Sequence, residues 1–146
     1  MRLSVRQAAF DLGAEANAFT AGLTGAGAVV TFTGLVRDEG GRLAALEIEH
    51  YPGMTERAIT AMMETAARRW YLADALVIHR HGRLAADEAI MMVATAARHR
   101  AEAFAAAEFL MDYLKSRAPF WKKEFGPDGA EWVTAKDADE AALRRW

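Results

Sequence analysis

The sequence contains no cysteine. This absence excludes disulfide bonds, zinc sites built on thiolates, and any thiol or persulfide nucleophile carried by the chain itself. Apolar runs are also short, since a run such as 89–97 falls well below the roughly 18 to 20 residues that cross a bilayer. Because the N-terminus has no basic stretch followed by an apolar one, we expect a cytoplasmic protein.

An excess of basic charge is absent as well, since the formal net charge is -2. Non-specific binding to nucleic acid requires a large excess of lysine and arginine, so we expect no nucleic-acid partner and only a local anion site. The 146 residues, with 53% hydrophobic composition, are typical of one globular domain spanning 1–146.

Lysine is scarce, with four lysines against fourteen arginines, and three of the four lie within 115–123. Only lysine can lose its proton near neutral pH and act as a nucleophile or a general acid or base, so this cluster favours catalysis. The structural alternative is chance clustering of basic residues at a helix end, where positive charge favours the helix dipole.

Apolar periodicity and turn residues divide the chain into hairpin-paired strands and interspersed helices, which predicts an α+β fold. One hairpin is predicted from 28–36 with 43–50, and another from 75–81 with 88–97. The remaining predicted elements are strands at 2–10, 120–124 and 131–134, and helices at 12–20 (capped by Asp11), 54–70, 100–116 and 137–145.

The clearest helix carries candidate chemistry at both ends. His99 and Arg100 lie beside its first free amides, a place that favours anions. Lys115 lies at the edge of its apolar stripe, where a lysine more commonly snorkels to water. The segment 119–123 adds aromatic faces and two amines, which is typical of a pocket for a flat, anionic, aromatic ligand such as a pterin phosphate. Crowded cations and burial would both lower the pKa of a lysine there.

Metal and phosphate-loop chemistry are disfavoured. The histidines at His50, His79 and His81 have neither the His-Glu-x-x-His spacing nor cysteine support, so we predict structural or surface roles and no metal site. The glycines within 22–27 precede a strand, whereas a phosphate loop precedes a helix.

Several separate blocks resemble the molybdopterin synthase large-subunit family, and the match is strongest over 27–146. Their joint order makes the resemblance highly specific. The blocks are 27–34 with 36–37, 49–56, 79–80 with Gly82, 99–100, 109–115 and 117–124.

The resemblance implies an α/β hammerhead-like fold with additional antiparallel sheet. It also implies a homodimer with a small ubiquitin-like sulfur-carrier subunit at each end, giving a heterotetramer. The carrier's C-terminal thiocarboxylate would transfer sulfur to cyclic pyranopterin monophosphate, forming the molybdopterin dithiolene in molybdenum cofactor biosynthesis without metal or organic cofactor. The lack of cysteine agrees with sulfur that is brought in.

Residue roles carry over where the blocks match. Lys115 is implied as the catalytic lysine, acting as acid or base or engaging the carrier's acyl carbon, and Lys122 as a second functional lysine. Lys136 is the candidate for a basic residue that reaches the pocket from the other subunit. The implied substrate-binding residues are Leu35, Val36, Arg37, His99, Arg100, Lys115, Lys122, Lys123 and Glu124.

The sequence departs from the family at Leu35, where many relatives have lysine, and in a shortened 38–42 turn, so contacts from that loop stay open.

Two rival functions also stay open. One is a non-enzymatic module that binds a phosphorylated metabolite, and the other is an interaction protein that docks through Phe120, Trp121 and Trp132. The lysine cluster and the resemblance favour the enzyme.

Overall fold

Helices and strands form a mixed α+β fold within residues 1–134 and 136–146, which the computed structural model describes. This confirms the predicted fold class. The elements are β1 (Arg2–Arg6), α1 (Leu12–Ala21), β2 (Ala28–Leu35), β3 (Ala45–His50), α2 (Met54–Trp70), β4 (Asp74–Arg80), β5 (Gly82–Leu84), β6 (Ala89–Ala97), α3 (Arg100–Ser116), β7 (Phe120–Gly126), β8 (Gly129–Trp132) and α4 (Asp137–Ala142), followed by a 3-10 turn at Leu143–Arg145.

The first sheet has the strand order β1-β4-β6-β2. β1 runs parallel to β4, whereas β4 with β6 and β6 with β2 are antiparallel. The two central strands are buried almost throughout, which explains why their sequences are continuous apolar runs rather than alternating patterns. The antiparallel pairing of β4 with β6 confirms the hairpin predicted from 75–81 with 88–97.

The second sheet has the order β5-β3-β7-β8, with antiparallel pairs throughout. The hairpin predicted from 28–36 with 43–50 is wrong, because β2 belongs to the first sheet and β3 to the second. The backbone after β2 shows why. Val36 donates to the carbonyl of Glu88 at 2.9 Å and accepts from the amide of Asp87 at 2.9 Å, so the chain stays paired with the segment before β6 instead of turning back.

Several predicted boundaries also differ by a few residues. β1 ends at Arg6 instead of 10, β7 continues to Gly126, and β8 lies at Gly129–Trp132 instead of 131–134. The predicted turn 82–87 contains β5, which crosses to the second sheet. The predicted cap of α1 is confirmed, since the Asp11 carboxylate accepts from the amide of Ala14 at 2.8 Å.

Helix α3 packs on the first sheet and on α2 through small and branched apolar residues. Ala103, Ala106 and Leu110 on its inner face are fully buried, and the small alanines let the helix approach the strands closely. The hydroxyl of Thr95 on β6 donates to the carbonyl of Ala103 at 2.7 Å, which ties the first turn of α3 to the sheet. None of the helices in the described part of the chain has the length and apolar character needed to span a bilayer.

The C-terminal segment folds back on the helices through Trp146. Its ring meets Trp70 and Phe109 edge to face, with ring centroids 5.6 Å apart in each case, and its indole N–H donates to Asp112 at 2.8 Å. This anchor holds α4 and the 3-10 turn alongside α3.

Candidate functional site

An open cavity of about 1510 Å³ is bounded by β2, the loop after it, the end of α3, β7, β8 and the residues Val133, Thr134, Lys136, Asp137 and Asp139. The elements that form it come from both sheets. Seven residues predicted for the site line this cavity, namely Leu35, Val36, Arg37, Lys115, Lys122, Glu124 and Lys136. The fold thus brings most of the predicted residues together although they span a hundred positions in sequence.

Lys115 reaches the cavity from the last turn of α3, where its side chain is exposed. Its neighbours Met111 and Leu114 are buried and line the same cavity, so the amine lies at the border between core and opening. This is the edge-of-stripe position that the helical spacing predicts. Lys136 lines the cavity of its own chain at the residue before α4.

Lys122 lies on β7 and is more enclosed than Lys115. Burial is the first cause that lowers the pKa of the Lys122 ammonium, and the positive charges of Lys115 and Lys136 act in the same direction against the opposing charge of Asp139. This is the direction of pKa shift that the sequence predicts for a lysine among crowded cations. More of the Lys122 side chain is therefore free amine near neutral pH than in an ordinary lysine.

Because side chains alternate along β7, Lys123 points away from the cavity that Lys115 and Lys122 line. Phe120, Lys122 and Glu124 line the cavity, and Lys123 lies on the opposite face of β7. There its amine lies 5.2 Å from the ring centroid of Trp132, and it does not line the cavity within the part of the chain that the structure describes.

His99 and Arg100 are exposed at the start of α3, at the opposite end from Lys115. Fifteen residues of helix place Arg100 and Lys115 about 22 Å apart along the axis. Within residues 1–134 and 136–146 of one chain, neither His99 nor Arg100 lines the cavity. Their role in substrate binding stays a prediction.

Acidic residues are numerous around the cavity, so the pairing of charges decides which cations are available. Arg37 pairs with Glu39 at 2.5 Å and Arg42 pairs with Asp128 at 2.6 Å. In contrast, three lysines on the cavity wall form no ion pair among the described residues. These lysines are Lys115, Lys122 and Lys136.

Replacing Glu39 with glutamine is expected to strengthen the binding of inorganic phosphate by about 1.4- to fivefold, because an exposed ion pair of this kind contributes roughly 0.2–1 kcal/mol. Glu39 occupies the guanidinium of Arg37, the predicted phosphate contact, and glutamine releases it. An NMR titration with phosphate measures the change. Glu131→Gln is the matched control, since Glu131 lines the same cavity and forms no ion pair in the described ranges. An equal gain in both variants would contradict a specific effect on Arg37.

His79 also lines the cavity, although the sequence predicts only a structural or surface role for it. The signal that marks it is a histidine that directly follows the apolar run 75–78 within a mostly buried strand. No group of three or more histidine, aspartate or glutamate side chains suited to a metal ion occurs in the described residues.

A family model described as MoaE protein matches residues 5–117, which is more than half of the chain. The chain belongs to the MoaE family. The match includes Lys115 and the elements β2 to α3, whereas β7, which carries Lys122, lies beyond it.

Relatives and solved structures extend the MoaE match over the whole chain. The molybdopterin synthase catalytic subunit of Cereibacter sphaeroides is 72% identical over 146 residues, covering 100% of both chains. The solved molybdopterin biosynthesis MoaE protein from Burkholderia ambifaria superposes with a TM-score of 0.84 at 49% identity, covering 100% of this chain and 98% of that one. A protein-protein complex of subunits 1 and 2 of molybdopterin-converting factor from Helicobacter pylori gives a TM-score of 0.74 at 20% identity, covering 92% and 90%, and is similar in fold alone.

Proposed function

We propose that this MoaE-family chain is the catalytic subunit of a molybdopterin synthase and acts as a sulfurtransferase. The observation that carries the proposal is the presence of Lys115 and Lys122 on one cavity wall, both without ion-pair partners in the described residues, with burial holding the pKa of Lys122 below its ordinary value. The relatives named as this subunit cover the full length of the chain, which supports the same assignment.

The proposed sulfur acceptor is cyclic pyranopterin monophosphate. Lysines and Arg37 around the cavity suit the phosphate, and the apolar wall around Met91 and Met111 suits a flat ring. The cavity of about 1510 Å³ exceeds the roughly 300 to 1,000 Å³ of an ordinary small-molecule pocket. The extra space supports the entry of a second component together with the substrate.

The proposed second component is the C-terminal tail of a small ubiquitin-like carrier that ends in a thiocarboxylate. This donor suits a chain without cysteine, which has no sulfur nucleophile of its own. Each transfer forms one C–S bond on the substrate as a C–O bond there breaks and its oxygen leaves with a proton. Hydrolysis then breaks the acyl C–S bond of the carrier, whose acyl carbon takes an oxygen from water and ends as a carboxylate. In this step Lys115 acts as acid or base or engages the acyl carbon, and Lys122, whose pKa is lowered, acts as a second acid or base.

The proposed assembly is a homodimer of this chain with one carrier on each subunit, in the cytoplasm. Because His99 and Arg100 lie about 22 Å along α3 from Lys115, their predicted contact with the substrate requires a second copy of the chain to supply them. The Helicobacter pylori structure of similar fold is a complex of two subunits of a molybdopterin-converting factor.

Conversion of cyclic pyranopterin monophosphate to molybdopterin by the purified chain tests this function. We expect product only when the thiocarboxylated carrier is present, because the chain cannot supply sulfur itself. Carrier with an ordinary C-terminal carboxylate is the matched control, since it binds without donating. Binding of the pterin phosphate without turnover, in the presence of bound thiocarboxylated carrier, would contradict the enzyme and favour a phosphometabolite-binding module.

A further inference from the structure

His79 is a buried titratable residue of the cavity wall that the proposed function does not use. Its side chain is 2% exposed and lies near the end of β4, in the first sheet. The Nδ1 atom lies 2.8 Å from the carbonyl oxygen of Arg80. Because a carbonyl oxygen only accepts, Nδ1 carries the hydrogen, and Nε2 is the acceptor of a neutral ring.

Phe120 covers one face of this imidazole. The two ring centroids are 3.8 Å apart and the ring planes differ by 14°, which is a stacked arrangement. Phe120 is the first residue of β7, so the ring pair joins the two sheets at the cavity wall. Since side chains alternate along a strand, Phe120 and Lys122 lie on the same face of β7. The stacked rings therefore lie at the start of β7, on the face that carries Lys122.

The imidazole adds no positive charge to this wall. Burial lowers the pKa of His79 to about 3, the hydrogen bond to the Arg80 carbonyl opposes that shift, and the charges of Lys122, His50 and His81 add to it. His79 is consequently neutral at every pH at which a lysine titrates. Its neutral ring excludes water from this part of the wall and does not repel the Lys122 ammonium group.

We propose that His79 is a positioning residue for Lys122, whose neutral ring, stacked on Phe120, forms the dry wall that keeps the Lys122 amine in the cavity and away from bulk water. The inference rests on the proposed role of Lys122 in sulfur transfer and adds the residue that sets its surroundings. The charged groups that act on Lys122 from other elements are Lys115 on α3, and Lys136 and Asp139 in the C-terminal segment.

The variant His79→Gln tests the proposal, because it removes the ring and keeps a side chain that forms hydrogen bonds. Acylation of lysines by acetic anhydride over a series of pH values, read by mass spectrometry on the chain alone, reports the free-amine fraction at each lysine. Each rate is normalised to its own plateau at high pH, so that differences in accessibility cancel. We expect the Lys122 profile to move to higher pH, with its normalised rate near pH 8 falling by about three- to tenfold. Lys123, on the opposite face of β7, is the internal reference and should not move.

Two further variants protect the test against loss of folding and separate the ring from its nitrogen. Phe120→Leu leaves His79 intact and removes the stacked partner, so it is expected to move the Lys122 profile in the same direction. His79→Phe keeps a stacking ring but leaves the Arg80 carbonyl without its donor, so it is expected to lower the melting temperature and keep the profile. An unchanged profile in both His79→Gln and Phe120→Leu would overturn the proposal, and so would an equal shift in His79→Phe.

Sulfur transfer measured on the same variants distinguishes the two possible failures. A parallel shift in the Lys122 labelling profile and in the pH dependence of kcat supports both the positioning of Lys122 and its role. A shifted labelling profile with unchanged transfer contradicts the proposed role of Lys122 and leaves His79 as the residue that sets its surroundings. An unshifted labelling profile contradicts the role of His79, whatever the rate of transfer.

Discussion

A Lys115→Arg variant is expected to lose sulfur transfer by about 100-fold or more, which is the usual contribution of a general acid or base. Arginine keeps the positive charge at the end of α3 but cannot readily lose a proton or act as a nucleophile. Because the side chain is exposed at the cavity, the exchange is expected to leave the melting temperature nearly unchanged. Single-turnover formation of molybdopterin with excess thiocarboxylated carrier measures the effect on chemistry apart from binding.

Arg117→Lys provides the matched control for Lys115→Arg. It makes the reverse exchange two residues further along, where the guanidinium pairs with Glu140 at 2.6 Å outside the cavity. Its transfer rate should equal that of the unchanged chain. Full turnover by Lys115→Arg would show that only the charge of Lys115 matters, and would reduce its role to anion binding.

The sequence predicts those parts of the fold that local patterns determine. The spacing of apolar residues in α3 reports which face meets the sheet, so it also predicts that Lys115 lies at the edge of that face. The alternation along β7 is equally local, and it decides that Lys122 and Lys123 lie on opposite faces. The resemblance names both lysines as site residues, whereas the alternation of the strand separates them.

The pairing of strands is not a local property, and the hairpin predicted from 28–36 with 43–50 is therefore wrong. Two neighbouring strand-like segments with a glycine turn between them predict a hairpin, yet β2 and β3 belong to different sheets. The choice depends on the hydrogen bonds of Val36 with the chain before β6, about fifty residues away in sequence. Nothing in the spacing of 28–50 reports those partners.

The site was predictable where one helix or strand carries its residues, and not where distant elements meet. His79 joins the cavity through its stack with Phe120, a contact between the two sheets, so its position depends on the tertiary fold. For His99 and Arg100 the local position was predictable, but their distance from the other site residues was not. Their place at a helix N-terminus was predicted correctly, but the length of α3 separates them from the lysines of the same chain.

Replacing Lys122 with methionine is expected both to abolish most sulfur transfer and to stabilise the fold. Methionine matches the length of the lysine stem and carries no charge, so it removes both the amine and the cost of burying an ammonium group beside Lys115. We expect a loss of transfer of about 100-fold and a gain of about 1 kcal/mol in the free energy of unfolding at neutral pH. Molybdopterin formation and chemical denaturation measure the two effects.

The pH dependence of that gain identifies its cause. The folded-state pKa of Lys122 is lowered while the unfolded chain keeps the ordinary lysine value of 10.5, so in the interval between the two pKa values the unfolded state binds more protons. The stability contributed by this group therefore increases as pH rises through that interval, and the advantage of Lys122→Met is expected to shrink towards pH 10.5. Lys123→Met, which removes the same charge from the other face of β7, should show no such gain because its amine lies over the Trp132 ring. A gain from Lys122→Met that stays constant with pH would mean that better packing, and not removal of the buried charge, accounts for it. An unchanged transfer rate in Lys122→Met would contradict the proposed role of this amine in sulfur transfer.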